Sequence, residues 1–288
     1  MSWIHDLLAC IGVGLVGGLT SGFMGTSPGG GLVIFCVLLL GAEQHVAQGT
    51  SLIAQVPPTG LAGVRRYWQN GNRSPLQWVV WIGVGFLLGG VSGGYAATAV
   101  SDAVLQWTYV VYLVALIAAL VLRRDRKDGS SGAANPDKLP WLPLLLIGML
   151  AGFSSGFMGI GGGLAITVGL AAGLRVPQHQ AQLVSLVFSV IPTNIPAAWI
   201  YWSKGLVVGW PAIIGIVVGL WIGTDLGARM ANGVSKSVLR RTMIALVSLM
   251  ALYMTYKALA SFTAASECSA RAAPPDAPAP ARARHRPI

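Results

Sequence analysis

A block of residues occurs twice in this chain, at a spacing of 134, and each copy is built almost entirely from apolar stretches. Gly22-Phe-Met-Gly25 returns as Gly156-Phe-Met-Gly159, and Gln44-His-Val-Ala-Gln48 returns as Gln178-His-Gln-Ala-Gln182. Ser51-Leu52 returns as Ser185-Leu186, Pro58-Thr59 as Pro192-Thr193, and Tyr67-Trp68 with Gly71 as Tyr201-Trp202 with Gly205. The glycine ladder Gly85, Gly89, Gly93 returns as Gly219, Gly223, Gly227. The chain is a duplicated unit joined by a charged, Gly/Ser-containing linker.

The medium follows from composition. Hydrophobic residues make up 54% of the 288 and charged residues only 10%, whereas a soluble domain carries roughly 25% charged residues. Such a chain cannot cover a water-facing surface, so the expected fold class is an all-α polytopic membrane protein. Five apolar stretches at about 7–25, 30–41, 47–64, 75–97 and 103–122 are followed by five at about 141–158, 162–174, 181–201, 207–230 and 238–260. The net charge of +10 invites a nucleic-acid reading, but the basic residues sit in short clusters between apolar stretches, where they orient helices. No nucleic-acid partner is expected; the lipid bilayer is. Cys10, Cys36 and Cys268 show neither metal nor disulfide spacing, and no residue set calls for a metal or cofactor. The start of the chain lacks a basic signal-peptide region, so the first stretch is expected to be retained.

The second stretch of each half, near 30–41 and 162–174, is too short for the roughly 20 residues that span a bilayer. The first two stretches of each repeat are therefore expected to form a Gly-rich broken hairpin that returns the chain to its starting side. An odd number of net crossings then inverts the second repeat. Under inversion one side receives Arg65, Arg66, Arg73, Arg123, Arg124, Arg126, Lys127, Lys138, Arg175, Arg229, Lys236, Arg240 and Arg241, while the other loops receive only Lys204. Parallel repeats would split the same residues nine to five. Inversion with the crowded side cytoplasmic is the better fit, although Lys257, Arg271, Arg282, Arg284 and Arg286 then fall on the far side. Residues 1–122 form the first transmembrane repeat, 123–139 a cytoplasmic linker and 140–260 the second repeat. The Ala/Pro/Arg tail 261–288 reads as disordered.

Chemistry is expected at the glycine breaks, Gly25-Thr26-Ser27-Pro28-Gly29-Gly30-Gly31 and Gly159-Ile160-Gly161-Gly162-Gly163. Irregular backbone at membrane depth survives only where protein or a water-filled cavity satisfies it, and each break opens a short helix whose free N–H groups attract anions. Two such starts meeting near the midplane carry roughly one positive charge between them. The alternative is that the glycines simply permit tight helix crossing, which is the better account of the Gly85 and Gly219 ladders. Thr26 and Ser27 either donate to an oxyanion or cap the following helix. They are read as part of a two-residue departure in which Thr26-Ser27-Pro28 stands where Ile160 stands. Gln48, Ser51 and Gln55, at i, i+3 and i+7, share a helix face. That face, with Gln182, Ser185, Thr193 and Asn194 in the second half, could line a pore or make interhelical hydrogen bonds.

The run Gly-Phe-Met-Gly-Ile-Gly-Gly-Gly-Leu at 156–164, followed by an Ala…Ser-Leu helix and Pro-Thr, resembles the TauE/SafE family of sulfite and organosulfonate exporters, and both halves carry the pattern. The resemblance implies a bacterial inner-membrane, multi-pass transporter that exports a small anionic substrate such as sulfite, sulfoacetate or a related sulfonate. The substrate-binding set expected on this basis is Thr26, Ser27, Gly29, Gly30, Gly31, Gln48, Ser51, Gly161, Gly162, Gly163, Gln182, Ser185, Thr193 and Asn194. An importer or channel for small anions, or a membrane assembly factor that moves nothing, are the competing readings. An enzyme is not expected, since no HExxH, intramembrane carboxylate pair or Ser/His/Asp set is present. His45 and His179 could carry a coupling proton or serve as interfacial or capping residues. Asp225 reads either as a functional acid or as the i,i+4 partner of Arg229. Trp68, Trp78, Trp202 and Trp210 read as interface anchors. Whether one copy acts alone is not encoded in these patterns.

Overall fold

The computed structural model describes residues 2–24, 27–58, 64, 74–122, 139–174, 176, 178–232, 241, 244–245 and 247–260. Every regular element among them is a helix. The first half holds α1 (Ser2–Met24), α2 (Gly29–Leu39), α3 (Gln44–Ala54), α4 (Leu76–Thr98) and α5 (Asp102–Leu122). The second holds α6 (Trp141–Met158), α7 (Gly163–Val168), α8 (Gln178–Val190), α9 (Ile195–Ser203) and α10 (Trp210–Asn232), followed by α11 (Val247–Ala260). A wider π turn over Gly169–Gly173 continues α7. Residues 123–138 of the expected linker and the tail 261–288 lie outside the described residues.

Leu76–Thr98, Trp141–Met158 and Trp210–Gly227 are long and apolar enough to cross a bilayer, and Leu183–Val190 with Ile195–Ser203 forms a further candidate span bent by 46°. Their outward faces carry side chains such as Leu88, Leu150, Trp199 and Ile222, all more than half exposed. The chain is a multi-pass membrane protein. Its third apolar stretch does not continue as one helix. α3 ends at Ala54, ahead of Pro57-Pro58, and the equivalent stretch bends between α8 and α9 beside Pro192 and Pro196. Proline lacks the N–H that would continue the ladder and its ring clashes with the preceding turn.

The two longest helix contacts join the halves. α1 lies along α10, and α4 lies along α6. A methyl group on Gly85, Gly89 or Gly93 would sit 2.1–2.3 Å from the carbonyl oxygens of Leu145, Met149 and Phe153. On Gly219, Gly223 or Gly227 it would sit equally close to those of Ile11, Leu15 and Leu19. Lipid tails are as apolar as leucine, so association in a membrane depends on backbones approaching this closely. The ladders are packing devices, as their spacing suggested. Each half supplies one helix to the other half's pair, and the duplication is therefore also a reciprocal dependence.

Hydrogen bonding fixes how the halves align through the glycine breaks. Ser51 Oγ donates to Gly29 O and Ser185 Oγ to Gly163 O. Leu40 and Ala42 N–H donate to Cys36 O, as Leu174 and Val176 N–H do to Leu170 O. All of these pairs keep the spacing of 134. There is no two-residue departure: Gly29 corresponds to Gly163, and Thr26-Ser27-Pro28 replaces Ile160-Gly161-Gly162. The run of three glycines had suggested the wrong alignment because it begins two residues later, relative to the repeat, in the first half. Trp78 also departs from expectation. It is 1% exposed and packs with Ile82, Phe86 and Leu144 instead of anchoring at an interface. Trp202 and Trp210 meet across their turn with ring planes tilted by 46° and centroids 4.7 Å apart, while Trp68 lies outside the described residues.

Candidate anion site at the paired glycine turns

The glycine turns of the two halves touch. A methyl group on Gly29 would lie 2.4 Å from the carbonyl oxygen of Ile160, and one on Gly163 would lie 3.1 Å from Ser27 Cβ. The second turn needs its glycines for conformation as well as space. Gly159 closes α6 at φ 71°, and Gly161 sits at φ 86°, both in the left-handed region that a side chain resists. Residues 159–163 are buried throughout. The starts of α2 and α7 are therefore neighbours inside the protein; Gly163 N–H turns back to Gly161 O at 2.7 Å, and the ladders begin with Leu32 N–H to Pro28 O and Ile166 N–H to Gly162 O.

Side-chain donors hold the backbone carbonyls of these turns. Ser51 Oγ lies 2.9 Å from Gly159 O and 3.3 Å from Gly29 O. Gln55 Nε2 lies 3.3 Å from Gly159 O and 3.1 Å from Ser51 Oγ, and also reaches Ser51 O at 2.9 Å. Ser185 Oγ donates to Gly163 O at 2.7 Å, and Tyr109 OH to Gly30 O at 2.5 Å. Ser27 Oγ donates to Gln55 Oε1 at 2.8 Å. α2 has no side-chain cap, so Ser27 is not one. Of these, Gly159 O follows the end of α6 and is the carbonyl the break would otherwise leave bare at membrane depth; the rest tie side chains to the first turns of α2 and α7.

Of the expected binding residues, Ser27, Gly29, Ser51, Gly161, Gly163 and Ser185 converge here, and Gly30, Gly31 and Gly162 complete the same turns. Gln48 stands one helical turn before Ser51. It is fully buried, with Tyr201 OH 3.1 Å from its Oε1 and its Nε2 without a partner. Asn194 accepts from Ser155 Oγ at 3.0 Å, just before the second turn. Thr193 is 7% exposed with an unpartnered hydroxyl. Thr26 and the side chain of Gln182 lie outside the described residues. Tyr109, Tyr201 and Gln44 join these without having been expected at the site, the last two marked in the sequence only as parts of the repeat. Tyr201 had a signal, since it repeats Tyr67. Gln44, fully buried with both amide atoms unpartnered, extends the Gln48–Ser51 face by one turn.

Among the described residues the ion pairs lie away from these turns. Arg229 Nη2 meets Asp225 Oδ2 at 2.7 Å on an exposed surface, the plain i,i+4 pair, and His45 meets Asp102. No group of His, Cys, Asp or Glu that could hold a metal occurs among the described residues. A crevice of about 470 Å³ between α3, α9 and α10 is lined by apolar and aromatic side chains including Ile53, Val56, Trp199 and Ile213, surroundings that offer an anion nothing.

Comparison with known proteins agrees with this architecture. At 27% identity over 230 residues, 77% of this chain and 89% of the relative, it is similar to the probable membrane transporter protein YdhB of Bacillus subtilis. It is also 27% identical over 277 residues to probable membrane transporter proteins of two Xylella fastidiosa strains, covering 91% of this chain and 99% of each relative. No solved structure matches it. The sulfite exporter TauE/SafE model matches residues 10–254, both glycine turns included, and the chain belongs to that family of membrane transporters.

Proposed function

We propose that the protein is a secondary transporter of a bacterial inner membrane. It exports small sulfur-containing oxyanions, such as sulfite, sulfoacetate or related sulfonates, by alternating access between two inverted repeats. The observation that carries the reading is the contact between the two glycine turns, which brings the starts of α2 and α7 together. Each start contributes about half a positive charge through its aligned peptides. Ser51, Gln55, Ser185 and Tyr109 donate to carbonyls of these turns, and in this reading the first-turn amides that precede each helix ladder are the groups offered to an anion. Gln48 Nε2 and Thr193 Oγ1 are further unpartnered polar atoms for its oxygens. A site made from dipoles instead of a lysine holds an anion without trapping it, as a carrier requires.

Helix direction supports inversion. α9 and α10 run antiparallel, with Trp202 against Trp210 at the turn and Trp199 and Ile195 beside Ile213 and Val217 further along. α4 runs parallel to the α8–α9 pair, with Gly83 against Phe188 and Gly94 against Ala197. α4 and α10, equivalent elements of the two repeats, are thus opposed. We place the repeats at 1–122 and 140–260 and, from the basic residues that collect on its side, the linker between them in the cytoplasm. Export of an anion from a cell negative inside is downhill by about 2.3 kcal/mol per charge per 100 mV, so no enzyme-like energy source is required.

Purified full-length protein in liposomes under an imposed potential tests the function. Sulfite, sulfoacetate, thiosulfate and sulfate are offered in turn, and at least one should move faster than in empty vesicles, towards the positive side. Flux no greater than in empty vesicles for all four would refute transport of this class.

A further inference from the structure

His45 lies in the first turn of α3 with its ring held from two sides. Nδ1 is 2.6 Å from Asp102 Oδ1, which also accepts the His45 backbone N–H at 3.1 Å, and Nε2 is 2.9 Å from the carbonyl oxygen of Ala97. A carbonyl oxygen and an ionised carboxylate accept hydrogen bonds and donate none. A ring with hydrogen on both nitrogens satisfies the two acceptors at once, which a neutral ring with a single N–H cannot do. The neighbours come from several helices: Asp102 heads α5, Ala97 lies near the end of α4, Lys257 of α11 acts electrostatically on Asp102, and the exposed Glu43 precedes α3. The histidine side chain is 13% exposed and the aspartate 37%, so protons can reach the pair from the aqueous edge. In the second half Lys236 stands at the position equivalent to Asp102.

Loss of the proton leaves one N–H for two acceptors, and one ring nitrogen then turns its lone pair on an oxygen. The start of α3 loses an attachment to α4 or α5. α3 carries Gln48 and Ser51, with Gln55 just past its end, and so a change at its start is transmitted directly to the glycine turns. We infer that His45 is a proton-binding latch, closed when protonated, which ties α3 to α4 and α5 and links proton release to movement of the anion site. The link to anion movement rests on the proposed transport function; the latch itself does not.

Thermal unfolding of the detergent-purified full chain between about pH 5 and about pH 8, where imidazole changes charge, tests the latch. The two acceptors surround the ring only in the folded chain, so a latch that needs both N–H groups stabilises at the acid end and loses that contribution as pH rises. The wild-type midpoint should fall by several degrees more across this range than that of His45→Gln. Asp102→Asn should start lower at acid pH and show the same flattened slope. A wild-type slope that persists unchanged in both variants overturns the latch. Thiosulfate, a dianion throughout this range, supplies the flux probe: movement should be several-fold faster at the alkaline end for wild type and independent of pH for His45→Gln. Identical pH profiles for the two proteins overturn the coupling while leaving transport intact. Should sulfite, sulfoacetate or sulfate move but not thiosulfate, the anion that moves takes its place as the probe; absence of flux for all four anions together with a stability slope lost in both variants supports the latch and counts against the transport reading instead.

Discussion

Replacing Ser51 with alanine removes the donor to Gly29 O and one of two donors to Gly159 O. Gln55 still reaches Gly159 O, and Gly29 O, in the first turn of α2, still faces the helix's own amides, so the loss is that of buried hydrogen bonds worth about 0.5–1.5 kcal/mol each. Ser51→Ala should lower the unfolding midpoint even without substrate, whereas a residue that only touched the anion would change flux alone. Gln44 should respond in the opposite direction. Its fully buried carboxamide has no partner, and Gln44→Leu removes a desolvation penalty of about 1–2 kcal/mol at similar volume. The variant is expected to be more stable than wild type; if it is less stable, the amide has a partner in the folded protein. The sequence made Ser51 visible through its repeat at Ser185 and its spacing from Gln48. It could not reveal that the hydroxyl serves a backbone carbonyl, because that carbonyl belongs to a turn 108 residues away.

At the level of elements, the same substitution should have opposite consequences on two faces of one helix. Gly12 and Gly18 both lie in α1. A methyl group at Gly12 meets nothing within 4 Å, while at Gly18 it would lie 2.5 Å from Leu220 O. Gly12→Ala should be neutral or add up to about 1 kcal/mol through helix propensity. Gly18→Ala and Gly223→Ala should force α1 from α10, visible as a lower midpoint and a lower yield of folded protein. The ladder was legible as a packing motif from its i, i+4 spacing. Its partner was not, since a stripe of small residues specifies how close a neighbouring backbone comes and not which backbone it is. The exchange of helices between halves is a property of the assembled structure.

For the whole molecule, inversion places the Lys204 turn and the chain entering α4 on opposite faces of the membrane. In a background lacking the native cysteines, Lys204→Cys should react with a membrane-impermeant maleimide in intact cells, and Ser74→Cys only after permeabilisation. Equal labelling of both in intact cells would exclude inversion. The sequence by itself determined the medium, the duplication and the glycine breaks, because hydropathy, internal identity and backbone freedom are properties of residues and their order. The structure decided the alignment of the two turns, the burial of Trp78 and the meeting of Ser27 with Gly163 and of Gly29 with Ile160. Those depend on which distant backbones come within a few ångströms of each other, and periodicity along one chain carries no information about that distance.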